Sequence, residues 1–593
     1  MKMKTLELFN AVVAKPSIEH VWISDSGYII EPNALWAKDK IVSHYRKAEL
    51  NGNDLNKTFH KSWDKVKNSS RFELFVDQIF HYLSTYGTMF EGEVYIPNEV
   101  LDIPDVELTY KVIKAYTVEE MTNKCLGLLR SGIALKEETI DDVLAVLTDE
   151  LGYVFTGDEG VRNKEAIVKI ADLYGVLPKE TMAFFRYVIY RATGESLLIK
   201  NGKSIAAIKA SNYNPSAAFN QFGVEKLAEI FNRFKPLFLA FKSKCPKTIN
   251  KISKMSKFYH KPLVQNPLGV VTSQQLTMND EHWLDNATPF ALFKAMTACF
   301  DNLKNRDSFV YRIRNGKSWV TEREGKTNDK ATLISSHNLN YLSSYIHGRF
   351  GLEGKKIFLP KDIDYALPTS EKMFVGNIPT GTKFHGDKLA VGVYWKNSWG
   401  ARDLDLSSID ISGAKVGWNS SYDHRGLTYS GDITNAPNGA VEYLYASSGQ
   451  LGGAALVQNN VYMGDDECSY KIIIGRGDEM SRDYMMNPNN LFAEIKCQSV
   501  QKQTILGLFL PGSFVVLNFG AGHARVSGSG KTTSVARNAL YQQWNNSLTF
   551  NDLVTVLGAE IVDSREEADY DYSLDSLEKD SFTKLFSEEG VLV

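Results

Sequence analysis

Residues 388–396 read KLAVGVYWK, a run in which only the lysines are charged. The next segments are ARDLDLSSIDI (401–411), AKVGWNSSY (414–422) and GLTYSGD (426–432), which mix apolar residues with glycine, asparagine and aspartate. Short extended runs separated by such turn residues predict β-strands joined by short loops. The same pattern of short apolar runs separated by turn residues extends over residues 356–527. Strands at roughly ten-residue intervals are typical of a β-sandwich. We therefore predict a sandwich domain over 356–527.

Within this region, four acidic residues form the strongest candidate site. Asp403 and Asp405 fall in the sequence DLDLS, which we interpret as a turn, and Asp432 and Glu442 flank the loop that follows. Carboxylates in loops between strands are common ligands of hard divalent cations. The sequence therefore predicts a cation site formed by Asp403, Asp405, Asp432 and Glu442. In the alternative interpretation, Asp403 and Asp432 cap turns by accepting backbone N–H groups.

The chain before residue 355 has a different periodicity. Its apolar residues recur at three and four positions, as in 139–151, 163–175 and 224–244, with Pro236 inside the last of these. This spacing predicts amphipathic helices, and Pro236 predicts a break or kink. We expect an N-terminal segment over 1–70 and a helical domain over 71–355. Stacked helical pairs of the HEAT type would give this pattern, although the sequence has no fixed-period repeat.

The last part of the chain, 528–593, combines three kinds of sequence pattern. A Gly/Ser-containing linker leads to a helical pattern at 549–561, and the acidic stretch DSREEADYDYSLDSLEKD (563–580) follows. Closely spaced like charges favour a solvated terminus. The predicted fold class is thus multidomain: a mainly α N-terminal region, a β-sandwich, and a short helical and acidic C-terminus.

Composition limits the classes of function. The 593 residues carry a formal charge of -3, so net charge alone does not indicate a polyanion-binding protein. No apolar run is long enough to span a bilayer. The five cysteines form no CxxC pair, which argues against zinc and favours buried structural thiols in a reducing compartment. These features predict a cytoplasmic protein, and the chain shows no HExxH or GxSxG signature of an enzyme.

A second candidate site is basic and lies in the helical part. Lys247, Lys251, Lys254 and Lys257 recur at three or four positions, so a helix would place them on one face, with aromatic residues directly after them. Such a stripe can hold phosphates and stack bases, which predicts RNA binding by residues 242–261. The alternative is a solvated face that meets an acidic neighbour, including the acidic tail of the same chain.

Residues 377–475 resemble the TerD family of bacterial tellurite-resistance and stress proteins. The resemblance rests on IPTGTKFHGDKLAVGVYW (378–395), on the DLDLS sequence, and on SGDIT followed by a carboxylate. The whole region 355–527 is similar to large cytoplasmic bacterial proteins that carry a TerD-like domain behind a long helical region. The motifs occur in the family's order and cover about a third of the chain.

The resemblance implies a compact β-sandwich that binds calcium through carboxylates, with Asp403 and Asp405 from DLDLS, Asp432 from SGDIT, and Glu442 closing the loop. The chain departs from the family where it reads NAPNGAVE, with Asn435 and Asn438 in place of acidic residues. Fewer charged ligands imply weaker binding.

The expected function is therefore that of a non-enzymatic binding or scaffold protein in a stress-type response of a bacterium or phage. Its partners would be another protein or further copies of itself. RNA binding and self-assembly into a structural protein are the two alternatives.

Overall fold

The computed structural model describes residues 3–24, 27–46, 50, 52–57, 63–86, 111–259, 271–312, 318–322, 329–476, 486–499, 501–520 and 530–586. As predicted, helices dominate the N-terminal part and strands dominate the C-terminal region. The helices are α1 Lys4–Phe9, α2 Lys38–Arg46, α3 Gly52–Leu55, α4 Trp63–Asn68, α5 Arg71–Tyr86, α6 Val118–Arg130, α7 Glu137–Ala145, α8 Lys164–Tyr174, α9 Thr181–Thr193, α10 Gly202–Ala210, α11 Ser216–Phe222, α12 Val224–Ala240, α13 Pro246–Met255, α14 Glu281–Leu284, α15 Pro289–Leu303, α16 Asp329–Phe350, α17 Gly530–Trp544, α18 Phe550–Val556 and α19 Ser581–Lys584.

The strands form one sheet near the start of the described chain, a hairpin in its middle and several sheets after residue 355. They are β1 Ala11–Val13, β2 Trp22–Ile23, β3 Tyr28–Ile30, β4 Lys111–Tyr116, β5 Ser308–Arg312, β6 Ser318–Glu322, β7 Lys356–Phe358, β8 Ile363–Asp364, β9 Phe374–Val375, β10 Ile378–Pro379, β11 Lys383–His385, β12 Lys388–Trp395, β13 Ala401–Ile409, β14 Lys415–Gly417, β15 Asp423–His424, β16 Leu427–Tyr429, β17 Ala440–Ser447, β18 Ala455–Gly464, β19 Ser469–Arg476, β20 Leu491–Gln498, β21 Gln503–Leu510, β22 Ser513–Gly520, β23 Glu560–Val562 and β24 Tyr570–Asp571.

The N-terminal sheet has the strand order β1-β4-β3-β2. Its strand β4 pairs in parallel with both β1 and β3. This sheet therefore crosses the boundary that the sequence predicted at residue 70, because a strand beyond residue 110 completes it.

The helices α8–α13 enclose a hydrophobic core of their own, in which Phe184, Phe185, Phe219 and Phe238 are buried. Inside α12, Phe234 has φ -116° and ψ 23°, values outside the helical range, two residues before Pro236. The kink predicted at this proline is confirmed. An arrangement of HEAT-type pairs stays a prediction.

Two larger sheets contain most of the strands after residue 360. Their strand orders are β14-β13-β18-β21-β22-β11-β8 and β15-β16-β17-β12-β19-β20. Side chains alternate along each strand, so one face of each sheet can point to a shared interior. Val391 of the six-stranded sheet and Leu404 of the seven-stranded sheet accordingly belong to one hydrophobic core.

The opposite faces of both sheets are also covered. On the six-stranded sheet, Tyr394 and Tyr443 pack with Leu55 of α3. On the seven-stranded sheet, Leu508 and Leu517 pack with Leu540 of α17. Because both faces are buried, the strand sequences are nearly continuous apolar runs rather than alternations of apolar and polar residues.

The C-terminal segment is folded onto the rest of the molecule. Strands β23 and β24 pair in parallel with β7. Tyr572 and Phe582 are buried in the main core. The prediction that residues 563–580 form a solvated tail is wrong, because their tyrosines and leucines are interleaved with the charges and supply apolar area for packing. Part of the predicted linker is helical as α17, and residues 528 and 529 lie outside the described part of the chain.

All five cysteines are free, and four of them are buried. This bears out their interpretation as buried thiols. Among the described residues, no helix combines the length and apolarity needed to cross a membrane.

Candidate metal centre

Asp403 and Asp405 lie on strand β13, not in a turn as the sequence suggested. They are two residues apart, the spacing that places strand side chains on the same face. The pairing of β13 with β18 shifts register on both sides of Asp403. The neighbouring strand β14 pairs only with residues 407–409, so the edge of β13 before Ser407 is open to other groups.

Asp432 reaches this edge from the loop between β16 and β17, as predicted. The loop is held by Asn397, whose Nδ2 donates to Asn435 Oδ1 at 2.8 Å and whose Oδ1 accepts from Ala436 N at 2.9 Å. The Asn438 carbonyl accepts from Lys57 Nζ at 2.5 Å. These asparagines therefore fix the loop that presents Asp432, and the Asn435 side chain is already engaged.

The three aspartates meet in one buried group. One carboxylate oxygen from each of Asp403, Asp405 and Asp432 lies within 4.8 Å of the other two. Each residue is only 4% exposed. Asp403 Oδ1 is buried and accepts no hydrogen bond from any described residue. Three carboxylates that are buried this close together repel one another, and a cation between them would offset that repulsion.

The electrostatics of the group agree with its geometry. Burial, followed by the nearby Asp432 charge, raises the pKa of Asp403 to about 7. Burial, followed by Asp403 and Asp432, raises the pKa of Asp405 to about 8. The nearby Lys415 acts in the opposite direction on the pKa of Asp405 but is too weak to offset this rise. Without a cation, the group holds protons at a pH where aspartates are normally ionised.

Glu442 lies outside this group, contrary to its prediction as a ligand. Its Oε2 accepts from Leu406 N at 2.9 Å and from the Tyr429 hydroxyl at 2.7 Å, and its Oε1 accepts from Ile433 N at 2.9 Å. Leu406 follows Asp405, and Ile433 follows Asp432. Glu442 therefore connects the segment that carries Asp405 to the segment that carries Asp432. Burial, Asp432 and Asp405 raise its pKa well above the usual value.

Asn460 was missed by the sequence reasoning. It lies directly opposite Asp405 in the pairing of β18 with β13. Directly opposite residues share a face of the sheet, with Cβ atoms about 5 Å apart. Asn460 Oδ1 is buried and has no hydrogen-bond partner among the described residues. An amide oxygen is an ordinary calcium ligand. No local sequence signal marks Asn460, because only the strand pairing brings it to Asp405.

A second acidic group, made of Glu7, Glu138 and Asp142, differs from the first. Its members are partly or fully exposed. Lys4 Nζ lies 3.3 Å from Asp142 Oδ1 and supplies a positive charge. Solvent and this lysine account for the group without a metal.

The predicted basic residues lie far along the chain from this centre. Lys247, Lys251 and Lys254 are on α13, Lys257 is in the turn that follows, and all four are exposed. Residues 260 and 261 of the predicted stripe lie outside the described residues.

Comparison of the chain with protein-family models, curated proteins and solved structures gives no match. Fold and site together define a protein with a helical N-terminal part, a sheet-rich C-terminal region, and a buried group of three aspartates at the edge of a strand.

Proposed function

We propose that the two large sheets form a TerD-like β-sandwich that binds calcium through Asp403, Asp405 and Asp432. The chain would act as a non-enzymatic binding or scaffold protein of a cytoplasmic stress-type response in a bacterium or phage. The supporting observation is Asp403, whose buried Oδ1 has no hydrogen-bond partner among the described residues while two further carboxylates lie within reach.

The chemistry of the ligands favours a hard cation. Carboxylate and amide oxygens suit calcium, magnesium and manganese rather than metals that prefer sulfur or imidazole. Calcium accepts six to eight oxygens in a flexible geometry, so backbone carbonyls, water and Asn460 can complete the set. The resemblance to the TerD family implies calcium among these ions. With three carboxylates and Asn435 engaged elsewhere, we expect a dissociation constant on the order of 10⁻⁴ M.

The remaining parts of the proposal rest on different features. Five free cysteines support a reducing compartment. The helical part before residue 355 would supply the scaffold surface for a protein partner or for another copy of the chain. Native mass spectrometry of the full chain tests this part, because it reports bound metal and oligomeric mass in the same measurement.

The metal proposal is tested by calorimetric titration of calcium into the full-length, chelator-treated protein. We expect one equivalent to bind with submillimolar affinity and to raise the melting temperature. Asp403→Asn combined with Asp432→Asn removes two charges from the group and should abolish the binding heat.

The matched control is Asp158→Asn combined with Asp563→Asn. These two aspartates have side chains that are 77% and 89% exposed and pair with surface lysines, so the same loss of charge should leave calcium binding unchanged. Neither heat nor a thermal shift at 5 mM calcium, on the order of 50 times the expected dissociation constant, would overturn the proposal. Equal loss of binding in both double variants would show an effect of net charge rather than a site.

A further inference from the structure

Charge is distributed very unevenly along this chain. Residues 164–259, which we call the basic helical unit, contain 17 lysines and arginines and 6 acidic residues, a formal charge of +11. Since the whole chain has a formal charge of -3, the remainder carries -14. The near-neutral total therefore conceals a strongly basic segment. This segment coincides with α8–α13, whose buried residues form a separate hydrophobic core.

A run of exposed lysines extends from the second half of α12 through α13. Lys235 on α12 and Lys242 in the turn after it are exposed, as are the four lysines of the predicted stripe: Lys247, Lys251, Lys254 and Lys257. Positions three and four apart on a helix are neighbours, about 5–6 Å between Cβ atoms. The stripe thus extends along the whole of α13 and into the turn after it.

No carboxylate of the described chain neutralises this stripe. The ion pairs found between described residues include none to Lys247, Lys251, Lys254 or Lys257. The acidic C-terminal segment, which the sequence offered as a partner, is engaged elsewhere. Its Glu578 and Asp580 pair with Lys124. Its Asp571 and Asp575 pair with Arg565.

An aromatic side chain adjoins the lysines. Phe258 is 87% exposed, directly after Lys257, and Tyr259 is 38% exposed. The Tyr259 carbonyl accepts from Asn232 Nδ2 at 2.8 Å, which fixes this turn against α12. An exposed ring held beside a row of ammonium groups matches the pattern by which proteins bind unpaired bases, since the ring stacks while the lysines contact phosphates.

Membrane binding fits this surface poorly. A basic helix that lies on a lipid surface inserts its apolar face between the head groups. The apolar face of α13 is occupied, because Ile249 and Ile252 are fully buried in the core of the basic helical unit. The exposed face of α13 carries lysines, and the exposed rings of Phe258 and Tyr259 lie in the turn after it.

We propose that the α12–α13 surface of the basic helical unit binds single-stranded nucleic acid. The lysines contact successive phosphates, and Phe258 stacks on a base. This activity is independent of the calcium proposal, because it involves none of the same residues.

The test uses the full-length protein and a fluorescein-labelled 20-nucleotide RNA strand, with DNA of the same sequence alongside, and measures fluorescence anisotropy. If four phosphates are neutralised, affinity for a single strand should fall about 50-fold between 50 and 200 mM salt. Changing Lys247, Lys251, Lys254 and Lys257 together to Glu should lower affinity at least tenfold at 50 mM salt. It should also reduce the slope of log affinity against log salt by about 3.

The control variant changes four exposed lysines outside the basic helical unit, Lys40, Lys294, Lys330 and Lys502, to Glu. It has the same net charge and should retain binding within about twofold. Thermal unfolding of both variants verifies that each is folded. Equal loss in the two variants would overturn the proposal, since net charge alone would then explain the binding.

Phe258→Ala separates stacking from charge. We expect at least fivefold weaker binding with an unchanged salt slope, while the same change at Phe72, which is 71% exposed on α5, should have no effect. Absence of binding to both strands at 50 mM salt would overturn the proposal. Tighter binding to vesicles containing phosphatidylserine than to either strand would also overturn it, in favour of a lipid surface.

Discussion

Two buried acidic groups of this protein differ in how their negative charge is balanced. In the C-terminal segment, Lys124 Nζ lies 3.1 Å from Glu578 Oε2 and 2.8 Å from Asp580 Oδ2. Although burial acts to raise the pKa of Asp580, Lys124 holds it below the usual value. At the candidate metal centre, Asp403 and Asp405 have raised pKa values, and neither forms an ion pair with a described residue.

The difference shows where the chain supplies its own counter-charge and where it does not. Leaving a buried carboxylate without a cation costs several kcal/mol unless the group takes up a proton. The C-terminal group has a counter-charge within the fold, Lys124, which indicates a structural role. Asp403 and Asp405 have no such ion-paired lysine among the described residues, so their charge is balanced by protons or, in our proposal, by a bound cation.

The largest effect that tests this comparison is expected from Lys124→Met. Glu578 and Asp580 would be left buried without their ion-pair partner and with only the smaller effect of Lys584, so the free energy of unfolding should fall by about 4 kcal/mol in chemical denaturation. Lys179→Met is the control, because its pair with Asp158 is exposed on both sides, and it should cost less than about 1 kcal/mol. A loss below about 1 kcal/mol for Lys124→Met would mean that this group is solvated after all.

Glu442→Ala should have the next largest effect, about 3 kcal/mol, because it leaves the N–H groups of Leu406 and Ile433 buried without their acceptor. Calcium affinity should fall as well, since those two bonds position Asp405 and Asp432. Glu467→Ala, an exposed change in the same region, serves as the control for both measurements. Unchanged calcium binding in Glu442→Ala would refute its positioning role.

The smallest effect concerns pH in the presence of chelator. Asp403 keeps its proton up to about pH 7 in the folded protein but ionises near its ordinary value of 3.8 in the unfolded chain. The folded state then binds more protons between these values, so the free energy of unfolding should fall as pH rises. The expected loss is about 2.5 kcal/mol from pH 5 to 8 for Asp403 alone.

Charged groups around Asp403 modify this trend. Asp432 raises the pKa of Asp403, and Lys415 opposes the rise at Asp405. Saturating calcium should reverse the trend, because the ion binds the deprotonated group more tightly as pH rises. Denaturation at pH 5 and 8, with chelator or calcium, measures both slopes. Asp403→Asn should make the slope in chelator less steep without abolishing it, because Asp405 also has a raised pKa. A slope equal to that of the unmodified protein would contradict the assignment.

Much of the secondary structure was predictable because it depends on local patterns. The apolar spacing of three and four gave the helices before residue 355, and Pro236 gave the kink in α12. Turn residues between apolar runs predicted the strands after residue 355. The C-terminal segment was misjudged because charge density dominates its composition, whereas Tyr572 and Phe582 decide its packing.

The candidate site was predictable in part. Asp403, Asp405 and Asp432 were found from spacing and from resemblance, and the structure brings them together. The proximity of Asn460 to Asp405 and the role of Glu442 were not predicted. The position of Asn460 depends on the register of β18 against β13. The role of Glu442 depends on two backbone N–H groups, that of Leu406 beyond the end of the β14 pairing and that of Ile433 in the loop after β16.

By itself, the sequence determined the position of each acidic, basic and apolar residue and the spacing of the apolar ones. From that spacing followed the order of helices and strands, and from the charges followed the acidic and the basic candidate sites. Only the tertiary structure decided which charges are matched. It places Lys124 beside Glu578 and Asp580, more than 450 residues away in sequence, and leaves Asp403 and Asp405 without such a partner among the described residues. The reason is physical: local pattern follows from backbone geometry, whereas the energy of a buried charge depends on which groups the fold brings within a few ångströms.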